Sequence, residues 1–379
     1  MRRSRTKAMS ERVRHAQKIV IKIGTSILRT RGESFSHKEH ARVCQEIHAL
    51  IKKGRRPVLV SSGAIALGMK SCGLKNRPKE MAELQACAAI GQGKLMHAYE
   101  SFFAKKKVHT AQLLLTRDGL EDRKRFLCAR NTLETLLKRN ILPIVNENDT
   151  IAVEEIAFGD NDILSVHVAH LVGADLLINL SDAEGFLLKD GTRVREVTSE
   201  DEIDNKLVMH LADKKREETV GGMRAKLKAA QVAMRLGIPF MIVNGHTPHI
   251  LQEIINGKDV GTLFITSGAK KDMRHKWIAF SATRSGSIVV DSGACRALLA
   301  KKSLLPGGIV KVQGSFEAGQ VVELEAPDGK VFGRGVVHYN SRDLGRIAGK
   351  RTDEIQAILG KKSHDEVIHR NDLVIWSER

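Results

Sequence analysis

The sequence predicts an α/β protein: a three-layer αβα sandwich around a mostly parallel sheet, followed by a small C-terminal β-barrel. Three observations predict it. Short β-branched runs, apolar on both faces, each end in small or polar residues. Helix-like stretches with one apolar face lie between them. Beyond about residue 265 that alternation stops, and short strands with glycine turns take over.

In chain order, MRRSRTKAMSERVRH (1–15) is basic and lacks the apolar core of a secretory signal. It reads as a disordered tail, and Met9 is an alternative initiator. KIVIKIG (18–24) is the first strand. HKEHARVCQEIHALIKKG (37–54) is a helix, with Val43, Ile47, Leu50 and Ile51 on one face and Gly54 at its end. RPVLVSSG (56–63), ILPIVNEND (141–149), DLLINLSD (175–182) and IPFMIVNG (238–245) are further buried strands, and all five place their polar residues at the carboxyl end, where such sheets bind ligands. SGAKKDMRHK (267–276) is polar and basic. After it come GSIVVDSGA, PGGIVKVQGSF and GQVVELEAPDGKVFGRGVV, with turns at Gly307-Gly308, Gly319 and Asp328-Gly329. The expected organisation is a tail (1–15), an α/β domain (16–266), a linker (267–284) and a barrel (285–372).

Lys and Arg outnumber Asp and Glu by 62 to 44, giving a net charge of +18. That excess points to an anionic partner: nucleic acid, a membrane surface or phosphate-bearing ligands. Aromatic residues are only 4%, so stacking surfaces for single-stranded nucleic acid are scarce. The five cysteines (Cys44, Cys72, Cys87, Cys128, Cys295) are scattered without a C-x-x-C pair, which disfavours a disulfide framework or zinc site and fits the cytoplasm. No run approaches the roughly 18 apolar residues of a membrane span.

Lys22 interrupts an otherwise buried strand, and a buried ammonium needs an anion beside it. The following turn, Gly24-Thr25-Ser26, offers backbone N–H groups and two hydroxyls, a cradle for phosphate oxygens. A lysine reaching solvent from an edge strand is the competing reading. SSGAIALG (61–68) joins a strand to a helix start, where N–H groups and dipole favour an anion; on this stretch alone a ligand-free tight turn is the favoured reading. NENDT (146–150) and FGDNDILS (158–165) crowd Asn146, Glu147, Asn148, Asp149, Asp160, Asn161 and Asp162 together, denser than turn-forming needs explain, which favours a site for an amine or a metal–phosphate group. SDAEG (181–185) follows the fourth strand, and VGGMRAKLKAA (220–230) sets a glycine pair before a helix carrying Lys226. There is no G-x-x-x-x-G-K-[ST] loop, no G-x-G-x-x-G after a strand and no G-x-S-x-G elbow. HRND (369–372) has no DFG partner, and His167, His170, His37 and His40 lack a third ligand, so neither marks a site.

Taken in this order, Lys22 with GTS, SSGAIALG, NENDT, GDND, SDAEG and GGM-x-x-K resemble the amino acid kinase family, and within it the branch that phosphorylates the side-chain carboxylate of glutamate at the start of proline synthesis. The strings at 114–137, VGTLF (260–264) and 339–360 share the likeness, which spans roughly 16–372. The C-terminal part resembles a PUA domain, a small barrel that often binds RNA. The resemblance implies that Lys22 and Lys226 hold the transferring phosphoryl group, with Asp162 positioning both. It places glutamate on Ser62, Gly63, Ala64, Asp149 and Asn161. ATP falls to Lys22, Gly24, Ser181, Asp182 and the loop Val220, Gly221, Gly222, Met223, Arg224, Ala225 and Lys226, with Mg2+ carried by the nucleotide and no direct protein ligand. Val220, Arg224 and Ala225 depart from the glycine and hydroxyl residues usual there, and the segment after SDAEGF lacks an Asp-Pro-Arg turn. Feedback inhibition by proline, a homo-oligomer of two or four copies and hand-over to a glutamyl phosphate reductase are further implications. N-acetylglutamate, aspartate or uridylate are alternative acceptors, and an RNA-binding protein is the alternative from another class.

A carboxylate with a reference pKa of about 4.3 needs no general base at neutral pH. What opposes its attack on ATP is like charge, about 4 kcal/mol for two unit charges at 4 Å and an effective dielectric near 20. Fixed cations therefore matter more than proton transfer.

Overall fold

Strand β1 (Lys18–Ile23) lies at the centre of an eight-stranded sheet, paired in parallel with β2 (Arg56–Ser61) and β5 (Leu176–Ser181). The computed structural model describes residues 11–29, 35–116, 119–120, 122–151, 161–188, 190–203, 222–265, 286–360 and 364–375. Outward from β2 come β4 (Leu142–Glu147) and the edge strand β3 (Thr110–Leu115), and outward from β5 comes β9 (Phe240–Asn244), all parallel. Beyond β9 lie an antiparallel β10 (Thr262–Phe264) and β8 (Glu196–Val197). A two-residue ribbon, β6 (Phe186–Leu187) with β7 (Arg193–Val194), stands apart. The carboxyl ends of β1, β2, β4, β5 and β9 share one edge, as the sequence pattern expects.

Alternation along these strands assigns each face its helices. Ile19, Ile21, Ile23, Leu59, Leu176, Ile178 and Leu180 join one core with Ile47 and Leu50 of helix α1 (His37–Lys52) and with Leu95, Tyr99 and Phe103 of α3 (Met81–Ala104). Between these helices in the chain runs α2 (Ala64–Ser71). The opposite face, which receives Val20, Lys22, Val60 and Asn179, is covered by α5 (Asn161–Val172), with α6 (Met223–Arg235) packed beside it. Helix α4 (Arg123–Lys138) leads into β4, and α7 (Ile250–Ile255) follows β9. Ser36 caps α1 by accepting a hydrogen bond from the Glu39 N–H.

Helices α2 and α3 touch backbone to backbone. A methyl group on Gly68 would overlap the Cys87 carbonyl, and one on Gly91 would overlap the Ala64 carbonyl. Glycine at both crossings is what permits the contact. Among the described residues no helix is long and apolar enough to cross a membrane.

The second unit, from residue 271 onward, has its own sheet in the order β12 (Ile309–Gly314), β11 (Gly286–Val290), β13 (Val321–Glu325), β14 (Val331–Val336), β15 (Leu373–Ile375). Strands β11 and β13 are parallel and the other pairs antiparallel, with irregular register at Val289/Val290 and Leu324/Glu325. The expected turns at Gly319 and Gly329 have φ of +89° and +82°. This unit is not all strand: α8 (Ser292–Leu299), α9 (Ser341–Ile347) and the short α10 (Ile355–Leu359) pack on it, the first two capped by Asp291 and Asn340. Ile288, Leu324, Leu344, Ile347 and Ile368 form its core.

Two expected boundaries move. Of the stretch expected as a tail, residues 11–14 are helical and Val13 is buried in the core of the first unit, while residues 1–10 lie outside the described residues. The second unit runs past residue 372, because Leu373–Ile375 pairs with β14. The linker 267–284 lies outside the described residues.

Candidate active site

Lys22 is only 5% exposed. It faces the α5 side of the sheet beside its register partner Asn179 on β5. Its Nζ lies 2.6 Å from Asp162 Oδ1, and the same oxygen accepts a hydrogen bond from Asn179 Nδ2 at 2.7 Å. Lys226, in the first turns of α6, brings its Nζ to 3.6 Å from Asp162 Oδ2. Two ammonium groups that are 204 residues apart in the chain thus converge on one carboxylate that is 1% exposed. Burial pushes the Asp162 carboxyl up, but Lys22, Lys226 and the Asn179 hydrogen bond outweigh it and hold it below the usual range. Burial lowers the Lys226 ammonium below an ordinary lysine, against the opposing pull of Asp162, while the like charge of Lys22 adds to the depression.

The Gly24 N–H is already donated to the Leu180 carbonyl at 3.2 Å. A Cβ on Gly24 would sit 3.2 Å from that same carbonyl, so the absent side chain lets the turn lie close to β5.

Among the residues expected for the acceptor, Ser62 follows β2, Gly63 takes φ +112° and Ala64 opens α2. The strand's alternation splits two neighbours: Ser62 turns toward α5, while Ser61 turns to the other face, where its Oγ lies 2.8 Å from the buried Tyr99 hydroxyl. Asn161, the first residue of α5, donates from Nδ2 to Ser62 Oγ (2.8 Å) and Asn146 Oδ1 (3.0 Å). Asn146 in turn donates to Gln92 Oε1 on α3 at 2.8 Å. Asp149 lies in the turn beyond β4, buried, and burial pushes its carboxyl up to about 6 although Arg77 pulls it down.

Among the residues expected for the nucleotide, Ser181 closes β5, its hydroxyl accepting from the Ala183 N–H at 3.2 Å. Exposed Asp182 interacts electrostatically with Lys226. Gly222 caps α6, and Met223, Arg224 and Ala225 form its first turn, with Arg224 exposed. Val220 and Gly221 lie outside the described residues. Among the described residues no group of three or more His, Cys, Asp or Glu is placed to hold a metal ion.

The structure adds Asn179, Ser61, Tyr99, Gln92 and a defined place for Asn146. Asn179 carried the same signal as Lys22, a polar residue within an apolar strand (DLLINLSD). Gln92 and Tyr99 sit in a long helix whose pattern gives no hint of which side chains reach the sheet edge.

The Amino acid kinase family model matches residues 17–244, and the PUA domain model matches 286–359. A Glutamate 5-kinase of Moorella thermoacetica is 41% identical over 369 residues, covering 95% of this chain and 96% of that one. A Glutamate 5-kinase of Geobacter sulfurreducens is 42% identical over 372 residues, covering 95% and 97%. Among solved structures, carbamate kinase from Giardia lamblia bound to AMP-PNP aligns with 67% of this chain and 100% of its own, at 19% identity and a TM-score of 0.48.

Proposed function

Because this chain belongs to the amino acid kinase family, with a PUA domain after the kinase unit, we propose that Lys22 and Lys226 carry a phosphoryl group from ATP to the side-chain carboxylate of L-glutamate. The chain is an ATP-dependent kinase of the glutamate 5-kinase type, and its product is L-glutamyl 5-phosphate. The single observation behind the residue roles is the convergence of both ammonium groups on Asp162.

The acceptor is already ionised, so no residue removes a proton. The chain's task is to hold two anions in line and offset their repulsion. Lys22 and Lys226 flank the transferring group from β1 and α6. Asp162 keeps the ammonium groups apart and aimed, and Asn179 fixes Asp162. Ser62 and the N–H groups of Gly63 and Ala64 receive the substrate's α-carboxylate at the start of α2. Asp149 and the Asn161 carbonyl oxygen receive its α-ammonium, a pairing that N-acetylglutamate lacks. Ser181, Asp182 and the start of α6 border the nucleotide.

Kinases of this kind use a divalent metal, which we take as Mg2+. Both Asp162 oxygens face cationic or amide groups, so the donor set fits an ion carried by the β- and γ-phosphates, with Asp182 the carboxylate beside them. When bound, that ion neutralises phosphate charge.

An ATP-dependent hydroxamate assay with glutamate, N-acetylglutamate and aspartate in parallel tests the acceptor. Glutamate should dominate, and a higher rate with either competitor rejects the reading. The same reading carries proline as feedback inhibitor, an assembly of two or four copies and hand-over of the labile acyl phosphate to a glutamyl phosphate reductase, which added proline, sedimentation and a channelling assay test in turn. A PUA domain allows RNA binding, and salt-dependent retention on RNA measures whether the +18 charge serves it.

A further inference from the structure

We infer that Gln92 is a positioning residue that fixes the orientation of two buried amides and thereby makes the acceptor pocket select a free α-ammonium; the inference rests on glutamate being the acceptor.

The orientation of a side-chain amide follows from its fixed partners. One side-chain atom of Asn161 lies 2.8 Å from Ser62 Oγ, 3.0 Å from the Asn146 amide and 3.5 Å from the Ser61 carbonyl. A hydroxyl or an amide can meet either a donor or an acceptor, but a backbone carbonyl only accepts, so the Asn161 atom facing it is the nitrogen. The Asn146 atom opposite is then the oxygen, and Asn146 must send its own NH2 elsewhere. It sends it to Gln92 Oε1, 2.8 Å away on α3.

This leaves Asn161 Oδ1 as the amide's other end. The residue is 3% exposed, and the oxygen has no hydrogen-bond partner among the described residues. A buried acceptor in that state is costly unless a donor arrives. It therefore favours a ligand carrying N–H groups, and the α-ammonium of glutamate is such a group. If Asn146 turned over, its NH2 would face the NH2 of Asn161, and the pair would relax by presenting a donor to the pocket. Such a pocket would no longer distinguish an ammonium from its absence. Gln92 Oε1, which accepts from the Asn146 NH2, opposes that turn together with the Ser61 carbonyl facing Asn161 Nδ2, while Gln92 Nε2 has no hydrogen-bond partner among the described residues. Gln92 is itself not among the residues assigned to phosphate or nucleotide.

The test compares glutamate with glutarate, which lacks only the α-amino group, in wild type and in Gln92→Met and Gln92→Glu. Met keeps length and removes the acceptor. Glu keeps an acceptor and cannot donate when ionised, so it supports only the orientation assigned above. In Gln92→Met, kcat/KM for glutamate should fall about tenfold, the loss expected for one oriented hydrogen bond to a charged group. The value for glutarate and KM for ATP should stay within about twofold. Gln92→Glu should restore the preference for glutamate. Equal losses for both acceptors, no loss for glutamate, or a Glu variant as impaired as Met would overturn the inference. Should Gln92→Met melt at the assay temperature, Asn146→Asp replaces it. With oxygen on both sides, that side chain needs no orienter, so Asn146→Asp should keep the wild-type preference for glutamate over glutarate, and a selective loss for glutamate would reject the proposal. No hydroxamate from glutamate in the wild type would instead dismiss the acceptor assignment and leave the amide question separate.

Discussion

Replacing Asp162 by Asn removes one charge and almost no volume, which isolates the electrostatics of the site. At an effective dielectric near 20, unit charges at the observed 2.6 and 3.6 Å attract by about 6 and 5 kcal/mol. Much of that is offset by desolvation, and orphaning a buried partner typically costs about 3–5 kcal/mol. Two buried ammonium groups would then repel each other with nothing between them. We expect a lower melting temperature and a kcat reduced about 10²–10³-fold, the usual size for one lost preorganised group. The pH–rate profile carries the sharper sign. Asp162 is the principal group holding the Lys226 ammonium up against burial, so without it that lysine loses its proton at lower pH. The alkaline limb of kcat must therefore shift toward neutrality. A kcat within threefold of wild type, with the alkaline limb unmoved, would refute the reasoning.

Lys22→Ala and Lys226→Ala should each lower kcat far more than they weaken glutamate binding, which steady-state kinetics with both substrates measures. Asp149 binds an ammonium only when ionised, and its carboxyl sits at about 6, so kcat/KM for glutamate should fall as pH drops through that value. Arg77→Gln removes the opposing cation and should move this acidic limb upward, while Asp149→Asn should raise KM for glutamate and abolish the limb. Gly91→Ala drives a methyl group into the Ala64 carbonyl; overpacking of that kind costs about 1–3 kcal/mol, seen as a lower melting temperature with a raised KM for glutamate. Tyr99→Phe should cost about 1 kcal/mol of stability in denaturant titration, from the lost bond to Ser61.

The five strands with polar carboxyl ends were legible because burial on both faces leaves a continuous apolar run in the chain. Edge strand β3 was not, since TAQLLL is half exposed and its pattern is weaker. Lys22, Asp162 and Lys226 stood out, two of them because a charge in an apolar strand or beside a helix start needs a partner. Their shared geometry is a tertiary fact. Spacing along the chain says nothing about β1 and α6 meeting over α5. Gln92 and Tyr99 were missed for a related reason. A glutamine or tyrosine on a long amphipathic helix has many satisfactory environments, and only the packing of α3 against the sheet edge selects one. The helices of the second unit escaped notice because SGACRALL and SRDLGRI span barely two turns.

The glycine contact between α2 and α3 also limits how this pocket can change. With main chain resting on main chain, no layer of side chains between the helices can be thinned or thickened to slide the acceptor turn outward. A longer acceptor would have to be admitted by trimming groups such as Asn161 or Ser62, the same groups proposed above to hold the substrate. Broadening the choice of acceptor and keeping a firm grip on glutamate are, in this scaffold, opposed goals.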